Sequence, residues 1–210
     1  VKLYVFPVAP NPTRLRLYLA EKCEAGAQFD LEEVTVNLRE FEQRSDEHLR
    51  RNPLGKLPVL ETSEGVYLTE SVAIVEYLEE LVPDPPMLGT TPIERAHARE
   101  LDRIVELGVL RPISEIVHAT ASPLGMPPNP AIAEHYRDLL PNALLLLEER
   151  LADGRPLLMG DKPSLPDCSL AAAFQFGRLA KVEIDASFEN LARWDAGFRE
   201  RASATKVLVL

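Results

Sequence analysis

Four short stretches of this chain carry side chains whose types and spacing suit chemistry. The first is 52–60, Asn-Pro-Leu-Gly-Lys-Leu-Pro-Val-Leu, a polar loop that runs into an apolar segment through Leu57-Pro58. Proline is tolerated at the first residue of a strand and poor inside a ladder. An X-Pro bond is also the common place for a cis peptide. A cis Leu57–Pro58 bond is therefore expected, turning the backbone N–H and C=O of Leu57 outward to pair with another extended backbone; an ordinary tight strand entry is the alternative. The second stretch, Glu70-Ser71, opens a helical pattern, and backbone N–H groups and the dipole hold an anion at such a start. Ser71 adds a hydroxyl donor and Glu70 a carboxylate for a cation. Together they suit an α-amino acid head group, carboxylate and ammonium side by side, against the plainer role of a helix cap at Thr69 or Ser71. The third, 112–120, sets Ser114 and His118 at i and i+4 on one helix face; a Ser-His hydrogen bond within a half-buried helix is the plainer reading. The fourth, Pro10-Asn11-Pro12, places Asn11 as the expected N-cap of the first helix.

Hydrophobic periodicity gives the elements that must position these groups. Strands are expected at 2–6, 28–36, 58–61 and 66–68, and helices at 12–22, 40–51 and 70–81. The order β-α-β-α-β-β-α makes a β-α-β crossover followed by a hairpin. A proline-rich linker, 83–91, ends this first unit of residues 1–82. Residues 92–210 carry no convincing strand. Helices are expected at 92–120, bent near Gly108 and Pro112, at 131–151, absorbing Pro141, and at 166–179 and 188–202. The fold class is thus α/β plus all-α. Ser164 and Asp167 have the S-x-x-D spacing of a capping box. Trp194, Phe174 and Phe176 are expected in the core or in a pocket wall.

Composition removes several functions. The 23 basic and 33 acidic side chains leave a net charge of −10, a surface that repels nucleic acid and anionic membrane. No apolar run approaches the ~20 residues that span a bilayer, and Pro7 breaks the N-terminal apolar run too early for a secretory signal. Cys23 and Cys168 are far apart and no C-x-x-C exists, so a zinc ribbon and a dithiol redox pair are both excluded. Lone cysteines suit a reducing compartment. His48 and His97 are expected on polar helix faces and His135 near a helix start, none with a partner at metal-ligand spacing; no metal is expected.

In this order and spacing the motifs resemble the glutathione transferases, across essentially the whole chain. The resemblance implies a thioredoxin-like N-terminal domain with a cis-proline at Pro58 and the acid–serine pair at Glu70-Ser71, followed by an all-helical C-terminal domain. It implies that Leu57 pairs with the cysteinyl backbone of glutathione, that Glu70 and Ser71 hold its γ-glutamyl end, and that Lys56, Arg44 or Gln43 meets its glycyl carboxylate. Glutathione would be the co-substrate, no cofactor would be needed, and the second substrate would be a small apolar electrophile. A homodimer in the cytoplasm is the family expectation. The pattern departs at the thiol. No serine or cysteine stands in 6–14, and Tyr4 is one position off the family's tyrosine, with Val5 in the matching place. Some bacterial relatives carry a similar Pro-Asn, which makes Asn11 one candidate for the thiol. The stretch 112–126 is similar to the atypical yeast-type class, in which a helix-borne Ser and His hold a water against the sulfur; that makes Ser114 and His118 the preferred candidates. A glutathione-binding or regulatory protein that kept the fold and lost the chemistry is the competing expectation.

Overall fold

Alternation in the first strand decides which face of the sheet becomes the core. In the computed structural model, which describes residues 1–209, β1 (Lys2–Val5) buries Leu3 and Val5 on one face and Tyr4 on the other. The second strand, β2 (Glu32–Thr35), runs parallel to β1; β3 (Val59–Glu61) is antiparallel to β1 and to β4 (Tyr67–Thr69). The sheet order is β2-β1-β3-β4. Helix α1 (Pro10–Glu24) supplies the crossover and α3 (Ser71–Leu81) follows the hairpin. This is the expected thioredoxin-like arrangement.

The expected helix at 40–51 is broken. Phe41 adopts φ 58° between two 3-10 turns, Leu38–Glu40 and Glu42–Arg44, and α2 spans only Asp46–Arg51. The cause is local: the Ser45 hydroxyl accepts the His48 N–H at 3.2 Å and starts a new helix there.

The helical domain comprises α4 (Pro92–Val105), α5 (Arg111–Ala121), α6 (Pro130–Arg150), α7 (Leu165–Leu179), α8 (Glu189–Arg199) and α9 (Ala202–Val207). A π-turn, Glu106–Leu110, joins α4 to α5, so the long expected helix is continuous and widens where a bend was expected. Pro141 is absorbed within α6. Helix α9 has no counterpart in the sequence reading, because its six residues are too short for a periodic signal.

One apolar core runs through both domains, from Leu3, Leu15 and Ile74 to Val105, Leu147 and Phe174. The linker is pinned to the first domain by Glu79. Its carboxylate accepts from the Tyr18 hydroxyl (2.6 Å), Lys22 Nζ (2.8 Å) and the N–H groups of Met87 (2.6 Å) and Leu88 (3.2 Å). In the helical domain, Asp167 accepts from the Ser164 N–H and hydroxyl, the Leu158 N–H and Trp194 Nε1. The Ser164–Asp167 pair is therefore a folding element that ties α7 to α8.

Candidate functional site

A cavity of about 100 Å³ lies where the two domains meet. The segment after β1 supplies Phe6, Val8, Ala9 and Pro10, and the turn after β2 supplies Leu38 and Arg39. The helical domain closes it with His118, Pro123, Leu124, Phe176 and Leu179. Pro7 ends β1, and a buried relay seats the loop: Thr13 Oγ1 donates to the Pro7 carbonyl at 3.0 Å, and Gln175 Nε2 donates to Thr13 Oγ1 at 3.3 Å. Both relay side chains are fully buried, so the loop's position depends on α7.

His118 is the side chain of that wall that can change its protonation near neutral pH. Its Nδ1 is 3.2 Å from Ser122 Oγ, which also accepts the Leu124 N–H at 3.2 Å. The ring packs 5.9 Å from Phe176. Burial lowers its pKa below the ordinary 6.5, against the opposing pull of Glu115, so the ring is neutral at pH 7. With Nδ1 engaged, Nε2 is left without a partner among the described residues. A neutral imidazole with one free nitrogen can accept a proton or hold a water. Ser114 lies one turn back on α5, half-buried and outside the cavity wall. No hydrogen bond joins it to His118, and the hydroxyl that His118 finds is that of Ser122.

Asn11 has a different setting. Ala9, not Asn11, is the N-cap of α1, and Asn11 sits inside the first turn. The cap expectation fails because Pro10 already has helical geometry at the first helical position. Asn11 Oδ1 accepts from Arg14 Nη2 at 3.1 Å. The Arg14 guanidinium is fully buried, 3.8 Å from Asp102 and 3.5 Å from Glu106, and Ser169 donates to Asp102 at 2.5 Å. Asn11 flanks the cavity-lining Ala9 and Pro10 but is not itself in the wall. Tyr4 is a packed strand residue, as expected. Its hydroxyl donates to Glu61 at 2.6 Å and Arg51 stacks over its ring; burial, then that hydrogen bond, pushes its pKa up to about 12.

The polar loop gathers several other candidates. Leu57–Pro58 is cis. Among the described residues, the N–H and C=O of Leu57 take no hydrogen bond. The carbonyl of Lys56, one residue earlier, is held by His48 Nε2 (3.1 Å) and Asn52 Nδ2 (3.0 Å). His48 is thus buried, and burial lowers its pKa; it does not lie on a polar face. At Gly55, φ is +60°, and a Cβ would come within 2.9 Å of Arg44 Nη1 and the Gln43 carbonyl, so only glycine lets the loop lie against that turn. Gln43 is buried with Oε1 unpartnered, while Arg44 and Lys56 are exposed. Glu70 has φ 68° and stands exposed at the N-cap of α3; Ser71 is buried at its first position. No side chain caps α3, so the capping role weighed for Thr69 and Ser71 is absent. Among the described residues, no three His, Cys, Asp or Glu side chains cluster at metal-binding distance, and no helix is long and apolar enough to cross a membrane.

His48 and Asn52 have roles that their motif did not reveal, and Arg39 and Ser122 were not singled out. Ser122 carried a signal, since it stands four residues after His118 just as Ser114 stands four before.

Residues 1–80 match the family model described as glutathione S-transferase, N-terminal domain, and residues 130–194 that described as glutathione S-transferase, C-terminal domain. The chain is 30% identical to glutathione S-transferase 2 of Saccharomyces cerevisiae, over 98% of this chain and 88% of that protein. It is 36% identical to maleylacetoacetate isomerase of Pseudomonas aeruginosa, over 50% of this chain and 48% of that one. Among solved structures, Gtt2 from Saccharomyces cerevisiae superposes with a TM-score of 0.89 at 29% identity, covering 99% of this chain and 100% of that one.

Proposed function

Because the chain belongs to the glutathione S-transferase family, we propose that its interdomain cavity brings the sulfur of glutathione beside His118 and adds it to a small apolar electrophile. The protein is a glutathione transferase; how it activates the thiol is the point of the proposal. A free thiol has a pKa of ~8.5 and little thiolate at neutral pH. His118 is neutral, and its unpartnered Nε2 accepts the thiol proton directly or through one water. The thiolate then attacks the electrophile held among the apolar side chains of the same wall, with proximity supplying much of the rate. That single free nitrogen on the wall of an apolar cavity is the observation that carries the reading.

The remaining roles follow the chemistry of each group. The unpaired backbone of Leu57 pairs with the cysteinyl unit. Glu70 and Ser71 hold the γ-glutamyl ammonium and carboxylate at the start of α3. Lys56, Arg44 and the donating Nε2 of Gln43 surround the place for the glycyl carboxylate. The reading needs no cofactor, because the sulfur and its proton come with the co-substrate. Isomerisation or reduction of an electrophile uses the same thiolate. The assembly proposed is a homodimer, supported by exposed Ile132, Leu139 and Leu146 at seven-residue spacing along α6. Cytoplasmic residence is proposed from the free thiols of Cys23 and Cys168.

Calorimetric binding of glutathione combined with a thiolate absorbance titration tests the reading. Binding with thiolate formed at neutral pH is expected. Binding without thiolate would make the chain a glutathione-binding protein without transferase chemistry.

A further inference from the structure

The cavity wall holds one charged side chain, and nothing in the described chain neutralises it. Arg39 lies on the 3-10 turn Leu38–Glu40, whose start is fixed by the Asn37 side chain accepting the Arg39 N–H at 3.1 Å. That bond sets the backbone and leaves the guanidinium free. Arg39 is solvent-exposed at the rim of the wall, and among the described residues its guanidinium makes no hydrogen bond and no ion pair, so it is open to an incoming ligand. Around it the wall is apolar, with Leu38 beside it and Phe6, Leu124, Phe176 and Leu179 completing the cavity.

From this arrangement we propose that Arg39 selects electrophiles bearing a carboxylate, so that the preferred second substrate is an apolar molecule with one anionic substituent. The planar guanidinium takes a carboxylate through two parallel hydrogen bonds, a match that no other group in the wall offers. The need for a local cation is electrostatic: a net charge of −10 repels anions at long range, and an unpaired arginine in the wall offsets that where the substrate docks. The proposal rests on the transferase reading above. In that reading the glycyl carboxylate of glutathione is met by Lys56, Arg44 and Gln43, which lie on the 42–57 turn and loop outside the cavity wall, and the γ-glutamyl carboxylate is held at the start of α3. Arg39 is thereby left for the second substrate.

The test uses chlorodinitrobenzoate and its methyl ester, two electrophiles that differ in charge. In each conjugation the glutathione sulfur bonds to the ring carbon, the C–Cl bond breaks, chloride leaves with the electron pair, and the thiol proton passes to solvent. For Arg39→Gln, the ratio of kcat/KM for the carboxylate to kcat/KM for the ester is expected to fall about ten- to hundredfold, the scale of a lost hydrogen bond to a charged group. Arg39→Lys should recover part of the preference because it restores the charge without the fork. Glutathione binding and turnover of the ester report on the transferase reading alone, whereas the ratio of the two electrophiles reports on Arg39. Equal loss on both electrophiles, no loss on either, or a weakened glutathione Kd in Arg39→Gln would overturn the proposal; the last outcome would assign the cation to the peptide.

Discussion

Asn11 and His118 approach one cavity from different domains, and they differ in what already holds them. The carbonyl of Asn11 is tied to a buried cation that reaches Asp102, Glu106 and, through Asp102, Ser169. His118 is held at one ring nitrogen only, by a serine at the end of its own helix. The first arrangement joins α1 to α4 and α7, so its geometry is bound up with the docking of the two domains. The second leaves a neutral, partly buried base with a free nitrogen at an apolar wall. Asn11 keeps its amide N–H2 without a hydrogen bond among the described residues, as His118 keeps Nε2, so what separates the two is place: His118 lines the cavity wall and Asn11 does not.

The largest effect that sharpens this contrast is on stability. Arg14→Met strands the buried carboxylate of Asp102, and removal of one partner from a buried ion pair costs ~3–5 kcal/mol. Urea unfolding should show a loss of that size; a variant as stable as the parent would mean that the Arg14 network does not join the domains. The next effect is on turnover. His118→Ala should lower kcat by about ten- to hundredfold, or ~1.5–3 kcal/mol, with glutathione affinity retained. Equal falls in kcat and in affinity would instead make His118 a binding residue.

The same ring carries a pH dependence. Because burial depresses the pKa of His118 below 6.5 in the folded protein, the unfolded chain binds that proton first as the pH falls. Stability linked to the neutral ring is complete above pH 6.5 and is lost as the pH drops through the folded value. The active neutral form accordingly persists at pH 6.5, and kcat should decline only on the acid side of it. His118→Gln should flatten that limb in both unfolding and rate profiles; an unchanged limb would point to a different titrating group.

A smaller change is expected at the peptide's other end. Ser71→Ala and Glu70→Ala should each weaken glutathione binding by ~1–2 kcal/mol while sparing kcat. Unchanged dissociation constants in both variants, measured by calorimetry, would remove α3 from the binding site. The smallest effects belong to Asn11→Ala and Ser114→Ala, for which kcat should stay within about threefold of the parent, under ~1 kcal/mol. A fall in either variant as large as that of His118→Ala would break the contrast, restoring Asn11 as the thiol donor or Ser114 as the partner of a bridging water.

Two local features were legible before the fold: Leu57–Pro58 is cis and Glu70-Ser71 opens α3. The Leu57-Pro58 and Glu70-Ser71 signals are local, since a proline, a loop and a helix start act within a few residues of themselves. The polar helix at 40–51 was misread because a residue at positive φ, Phe41, leaves no mark in hydrophobic periodicity. His48 was assigned to a polar face for the same reason: its burial depends on where the 52–56 loop returns, and composition does not encode that return.

The sequence alone determined the order of strands along the first domain, the two-domain division and the family, because periodicity, proline punctuation and motif spacing are properties of the chain itself. Only the tertiary structure decided which polar groups are free. Ser114 and Ser122 are equally spaced about His118, yet α5 ends at Ala121 and Ser122 leaves the helix with φ −55° and ψ 120°, which brings its hydroxyl back to the ring. Arg14 and Arg39 are both arginines near proline-rich or polar segments. One is buried among carboxylates and the other stands unpaired in a cavity wall. That difference arises from contacts between residues far apart in sequence, set by the packing of α4 and α7 against the first domain, and no local pattern carries it.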